Sequence, residues 1–448
     1  MIQDILSIVV ALGVLITFHE FGHFYVARKC GVKVLRFSVG FGKPIYRYVG
    51  KTGTEFTLAM IPLGGYVRML DEREGNVPEA FKSQAFNNKT VWQRIAIVAA
   101  GPVANFILAV IIYALVASMG LQTLAPKVGH ITPNTPLAET NIQPGDELLS
   151  INGSVVSSWE DVNLVLADLI GTSGTITVRY QEELSKEKET DSVTLDRWLK
   201  GQNPNNLIQE FGVRPWQPKV TPVIAQVVEK GAAETAGFKV GDKVIKANGQ
   251  SIDDWAQFVT FIQNHPGSRV SVVVMRSGEP TVLTIVPGSI ERGNDIVGYA
   301  GLAVVPPKLD ESVFRERHFG LLASLDYGAQ QTWKMTALTV SSIGKMLQGL
   351  ISIDNLSGPI TIAKVASASA DSGLQSFLKF MAYLSVSLGV LNLLPIPMLD
   401  GGHLMFFGVE AIRRKPVSEK IQSMAYRVGA SLLFTLMAIA IFNDIARL

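Results

Sequence analysis

The sequence predicts a polytopic α-helical membrane protein with four transmembrane helices, a membrane-associated β segment and two tandem, mainly β modules outside the bilayer. Three observations predict it. Apolar residues fill 48% of the 448 positions and charged residues only 17%, and the mean hydropathy is +0.27. Four stretches are long and apolar enough to cross a hydrocarbon core. A self-similar block occurs twice in the long region between the second and third of them. Lys and Arg number 40 against 38 Asp and Glu, for a net charge of +2, which argues against a disordered chain and against a nucleic-acid partner. Cys30 is the one cysteine, so no intramolecular disulfide or Cys-rich metal site can form. A metal would have to be held by His and carboxylates.

The first apolar stretch runs from about Ile5 to Ala27. Its leader, Met1-Ile2-Gln3-Asp4, lacks the positive region of a signal peptide, so it reads as a retained anchor. The others run from Trp92 to Met119, Phe377 to Leu399 and Ile421 to Phe442. Residues 28 to 94 hold twelve Lys and Arg against five acidic residues, and the last connection carries Arg413, Arg414, Lys415 and Lys420. The positive-inside rule places both in the cytoplasm, and the N-terminus and the long middle region on the other side.

In that middle region Gln143-Pro144-Gly145-Asp146 leads through Glu147 to Ile151 into Asn152-Gly153. The pattern returns as Lys239-Val240-Gly241-Asp242, Lys243 to Ala247 and Asn248-Gly249, a constant 96 residues later. A turn, an alternating strand and an Asn-Gly hairpin predict two copies of one β-rich module. Downstream, Leu322, Leu325, Ala329, Trp333, Val340, Ile343, Leu347 and Leu350 recur at helical intervals. Such a stripe suits a helix lying on the membrane surface, the reading favoured here, or packed on a module. The mixed-charge run from Gln181 to Asp191 reads as a solvated loop.

Inside the first span stands His19-Glu20-Phe21-Gly22-His23. Positions i and i+4 share a helix face, so both imidazoles can reach one cation while Glu20 stands beside them to take a proton. Ionisable side chains at membrane depth cost roughly several kcal/mol, so three at ligand spacing are hard to explain as packing. A further ligand is expected from the end of the third span, Asn392 to His403, where Pro395 and Pro397 break the helix and Gly401 and Gly402 free the backbone. Asp400 is preferred, since two imidazoles and a carboxylate suit catalytic zinc; His403 is the rival, and another divalent ion stays open. A membrane metal transporter or sensor would place the His-Glu-His set on an ion path, and a scaffold with a structural metal would leave Glu20 dispensable.

HEFGH, the segment NLLPIPMLDGG from Asn392 to Gly402, and GPVAN from Gly101 to Asn105 flank two modules that resemble PDZ domains, the second more closely through residues 232 to 238. In this order they resemble the site-2 protease family of intramembrane zinc metalloproteases across essentially the whole chain. The resemblance implies one zinc ion held by His19, His23 and Asp400, with Glu20 as catalytic base. It implies substrate contacts from Asn392, from Gly40, Phe41 and Gly42, and from Pro62, Leu63, Gly64 and Gly65, the last two groups on a β segment folding back toward the membrane.

The implied division is 1–28 for the first transmembrane helix, 29–90 for the cytoplasmic or membrane-re-entrant β segment and 91–119 for the second helix. It continues with 120–215 and 216–308 for the PDZ domains, 309–372 for a periplasmic amphipathic helical region and 373–404 for the third helix. A cytoplasmic loop at 405–420 and a fourth helix at 421–445 complete it. For bacterial members acting in the sigma-E envelope-stress response, the family further implies an inner-membrane location with periplasmic PDZ domains. Implied substrates are single-span membrane proteins such as an anti-sigma factor trimmed by another protease, and remnant signal peptides. The PDZ domains would bind peptide ligands or only exclude bulky substrates.

Overall fold

The computed structural model describes residues 2–202, 204, 206–292, 295–305 and 313–446. Four helices meet the length and composition needed to cross a membrane: α1 (Ile2–Lys29), α2 (Val91–Ser118), α9 (Leu374–Leu393) and α11 (Glu419–Ala446). Between α1 and α2 lies a long hairpin, β1 (Val34–Val49) and β2 (Glu55–Met69). Both strands bend, so that Val39 is paired with Gly65 on one side and with Leu58 on the other. Residues 65–69 form one edge of this small sheet. Thr90 then starts α2 with a reciprocal capping box to Gln93, which satisfies two of the helix's free amide donors.

The first β-rich module contains β3 (Leu121–Leu124), β4 (Val128–Ile131), β5 (Glu147–Ile151), β6 (Ser154–Val155), α3 (Trp159–Leu169), β7 (Gly174–Gln181), β8 (Lys188–Leu195), α4 (Leu207–Phe211) and β9 (Val213–Pro215). The second contains β10 (Ile224–Val227), α5 (Ala232–Thr235), β11 (Lys243–Ala247), β12 (Gln250–Ser251), α6 (Trp255–Gln263), β13 (Val270–Arg276), β14 (Glu279–Ile285), β15 (Gly288–Arg292), β16 (Asp295–Tyr299) and β17 (Leu302–Val304). The sheet orders β6-β5-β7-β8 and β12-β11-β13-β14 match, and the starts of β5 and β11, of α3 and α6, and of β7 and β13 all differ by 96 residues. Each copy closes its own apolar core, one around Leu148, Leu166 and Phe211, the other around Val244, Phe258 and Ile285. The repeated Asn-Gly turns have positive φ at both positions, as a two-residue hairpin of the favoured twist requires.

After the second module, β18 (Phe314–Arg317) pairs with β3, closing the extramembrane region beside the end of α2. Then follow α7 (Leu321–Leu347), α8 (Pro359–Asp371) and α10 (Asp400–Arg413). The predicted stripe on α7 is largely exposed, Leu322, Trp333 and Leu347 above all. The opposite face, with Ser324, Gly328, Thr332 and Met335 buried, packs against α2, while Lys334 pairs with Asp161 of α3 at 2.5 Å. The helix thus joins the first module to the membrane bundle. Residues 309–312 of the expected amphipathic region lie outside the described residues.

Two expectations change here. The third spanning helix ends at Leu393 rather than near Leu399 or 404, because Pro395 and Pro397 cannot continue it. Residues 400–413 then form a helix where a loop was expected from 405 to 420. At the far end of α11, buried Asp444 accepts from the backbone amides of Gly358 at 3.0 Å and Ile360 at 2.8 Å, tying that helix to the start of α8. A shared apolar core joins α1, α2, α7 and α9 through Leu15, Leu108, Ile112, Met335 and Met381.

Candidate metal centre and its cleft

His19 and His23 stand one turn apart on α1 and face α2. The two helices approach closely there because both contact positions are glycine. A Cβ on Gly22 would overlap the carbonyl of Ala100, and one on Gly101 would overlap His23 Nε2 and crowd His19 Cε1. Asp400 opens α10 just after the proline-broken segment. The backbone bends back so tightly that side chains on Gly401 and Gly402 would strike the carbonyls of Leu394 and Ile396.

These elements bring three ligand atoms together. His19 Nε2 and His23 Nε2 lie 3.3 Å apart, and Asp400 Oδ2 lies 3.3 Å from the first and 3.5 Å from the second. Among the described residues this is the group of His, Cys, Asp and Glu placed to hold a metal ion. His403, the rival ligand, is not in it.

The hydrogen bonds around the imidazoles fix what those atoms can do. His23 Nδ1 is 2.9 Å from the carbonyl oxygen of Ile97, which can only accept, so Nδ1 carries the proton and Nε2 keeps a lone pair. His19 Nδ1 is 3.1 Å from the side-chain amide of fully buried Asn105. As placed, Asn105 Oδ1 has no partner. With the amide turned over, Oδ1 accepts from His19 Nδ1–H, which leaves a lone pair on His19 Nε2. Asp400 Oδ2 is likewise buried and unpartnered. Three acceptor atoms therefore converge with no hydrogen between them, and a divalent cation is what satisfies them together.

The cleft beside this cluster has a volume of about 410 Å³ and is lined by His19, Glu20, His23, Gly65 to Met69 of β2, Asp71, Arg73, Glu74, Phe86, Val98, Asp400 and His403. Glu20 is next to His19 on the helix, and its carboxylate and Val67 of β2 line the same cleft. Gly65 lets the strand come within van der Waals reach of the Glu20 side chain.

Of the residues expected to contact substrate, Gly65 is among those lining the cleft. Gly40 and Gly42 take positive φ where β1 bends, and Phe41 stacks on Tyr66 at 6.2 Å over Gly64. The side chains of Pro62 and Leu63 lie outside the described residues; their backbone belongs to β2. Asn392 sits half-buried in the last turn of α9 and is not among the cleft-lining residues.

Sequence reasoning gave no role to Asn105, Gly101, Tyr66, Arg73 or Tyr426. The signal for the first two was available, since Gly101 and Asn105 are four apart on an apolar helix and so share a face, the spacing of the two histidines opposite them. Tyr66 comes from a strand, Arg73 from a loop and Tyr426 from a distant helix, whose positions relative to α1 no local pattern encodes.

Comparison with known proteins returns one family and a set of full-length relatives. Residues 7–436 match the model of Peptidase family M50. The chain is 43% identical over 445 residues to the regulator of sigma-E protease RseP of Escherichia coli K12, covering 99% of each chain. It is 41% identical over 442 residues to the regulator of sigma E protease of Haemophilus influenzae, covering 99% of this chain and 98% of the relative. A Vibrio cholerae protein with zinc metalloprotease in its name is 42% identical over 447 residues, again covering 99% of both.

Proposed function

The chain belongs to peptidase family M50, and from that membership and the cleft just described we propose that it is an intramembrane zinc metalloprotease that hydrolyses peptide bonds within the transmembrane helices of single-span substrates. The observation that carries this reading is the convergence of His19 Nε2, His23 Nε2 and Asp400 Oδ2, with no hydrogen to share, beside Glu20 in a cleft at the end of an apolar helix. These three residues would hold the zinc ion. When bound, zinc supplies Lewis acidity at a site whose ligand set, two imidazoles and one carboxylate, leaves a position open for reaction.

Glu20 is the proton carrier. It takes a proton from the attacking water as the C–O bond forms and delivers it to the leaving amide nitrogen as the C–N bond breaks. Ile97 and Asn105 hold the imidazoles in the tautomers that leave Nε2 bare. The 65–69 edge of the hairpin passes over Glu20, where an unwound substrate segment can lie against it as an added strand. Unwinding is required because a helix shields its own peptide bonds. Asn392, Gly40 to Gly42 and Pro62 to Gly65 would support that segment from farther out.

The two repeated modules would be PDZ domains at 120–215 and 216–308, on the periplasmic side of an inner membrane with the metal centre toward the cytoplasm. Their shared sheet order and 96-residue offset support the assignment. In the second, a groove of about 310 Å³ between α6 and residues 297–302 suits a peptide terminus; both modules would also restrict access by bulky outer domains. By analogy with the relatives named as sigma-E regulators, the substrates would include an anti-sigma factor of the envelope-stress response, and remnant signal peptides.

The test is Glu20→Gln. The variant should keep its zinc and lose about 10² to 10⁴ in the cleavage rate of a detergent-solubilised single-span peptide. Undiminished cleavage would contradict the role of Glu20 and with it the hydrolytic mechanism.

A further inference from the structure

A second imidazole system borders the metal cleft without being part of the ligand set. His403, on α10 one turn after Asp400, lines both the metal cleft and an adjoining cleft of about 490 Å³ that opens toward the α10–α11 connection. Tyr426 of α11 lines the outer cleft alone, and its hydroxyl is 3.4 Å from His403 Nδ1. Tyr426 has no other protein acceptor among the described residues, and its O–H is assigned as the donor to Nδ1. Neutral His403 then keeps its proton on Nε2. His403 lines both clefts and Tyr426 only the outer one, so the Nε2–H edge is assigned to the metal cleft. Phe407, with its ring 6.4 Å from the imidazole, and Phe406, edge-on to Tyr426 at 5.8 Å, brace the pair.

We propose that His403 is a catalytic residue, its Nε2–H donating a hydrogen bond to the oxyanion that develops on the scissile carbonyl, and that Tyr426 is the positioning residue that fixes its tautomer. The inference rests on the proteolytic reading above. A neutral donor held in place before the reaction needs no reorganisation as charge develops, which is the condition under which such donors contribute most. No proton changes hands in this step. Glu20 still takes the proton from water and returns it to the amine, while His403 stabilises the negative oxygen between the two events. Asp400 and His403 thus occupy one face of one helix with separate tasks, the carboxylate toward the cation and the imidazole toward the substrate.

The experiment measures zinc content, kcat and KM for full-length variants in detergent micelles, with a synthetic single-span transmembrane peptide as substrate. His403→Phe is expected to retain zinc and KM while kcat falls about 10²-fold, the loss typical of removing one oxyanion donor. His403→Gln, which restores an N–H, should recover part of that loss, and Tyr426→Phe should lower kcat by less than His403→Phe. Loss of zinc in His403→Phe, an effect confined to KM, or a kcat within about twofold of the parent would each overturn the proposal. If His403→Phe does not fold, the two milder variants decide, and an unchanged kcat in Tyr426→Phe overturns it. Glu20→Gln in the same assay separates the outcomes. If it abolishes cleavage while the His403 variants do not, this inference alone fails.

Discussion

Asn105 is a residue whose importance the primary structure showed only in part. It closes the GPVAN motif from Gly101 to Asn105, but an asparagine in an apolar helix can equally be a hydrogen-bonded packing residue, and nothing local names His19 as its partner. The fold supplies that partner from a residue 86 positions away. His19 and His23 were legible because both imidazoles and the Glu20 carboxylate lie within about one helical turn, where relative placement follows from sequence alone. Asp400 was legible more weakly, through the proline and glycine residues that must deliver it. Asn105→Ala should leave the fold intact, since the cavity is small, but let the His19 ring turn. Zinc affinity measured by chelator competition is expected to drop about 10- to 100-fold, as for other outer-shell partners of ligating histidines. An unchanged affinity would show that α1 packing alone orients the ring.

At the scale of elements, the repeated Gly-Asp turn gives the modules their shape. Asp146 Oδ2 accepts from the amide of Gln143 and Asp242 Oδ2 from that of Lys239, both at 2.8 Å, so one carboxylate closes the same turn twice. The second copy adds Arg276, whose fork grips Asp242 at 2.7 and 2.8 Å. Burial alone would raise the Asp242 pKa, but the guanidinium and the Lys239 amide together hold it below its ordinary value of 3.8. A carboxyl lowered on folding contributes stability above its unfolded pKa, and that contribution is lost as pH falls through the lower folded value. Asp242→Asn is therefore expected to destabilise β11 and β13 at pH near 7, with the difference from the parent shrinking below about pH 4. Amide hydrogen exchange in those strands checks it, and a difference independent of pH would assign the effect to turn geometry instead. The internal repeat exposed these elements in advance, because offset and hairpin signals are local. The hairpin's double pairing and the helix from Asp400 to Arg413 were not legible. The first depends on bends at Gly40, Gly42 and Gly64, and the second follows a proline segment that reads as a stop.

Across the whole molecule, the metal centre is an assembly of distant parts. Its candidate ligands come from α1 and α10, the residue behind His19 from α2 and the cleft wall from β2, and the glycines at 22, 101, 401 and 402 are what allow the backbones to meet. Family membership accounts for the chemistry, and the packing accounts for why it can occur beside apolar helices. The most direct measurement is zinc stoichiometry by elemental mass spectrometry on the purified full-length chain and on Asp400→Asn. About one zinc per chain in the parent, falling about 10-fold or more in occupancy under chelator competition in the variant, is the expected result. Equal zinc retention in the two proteins would contradict a site held jointly by His19, His23 and Asp400.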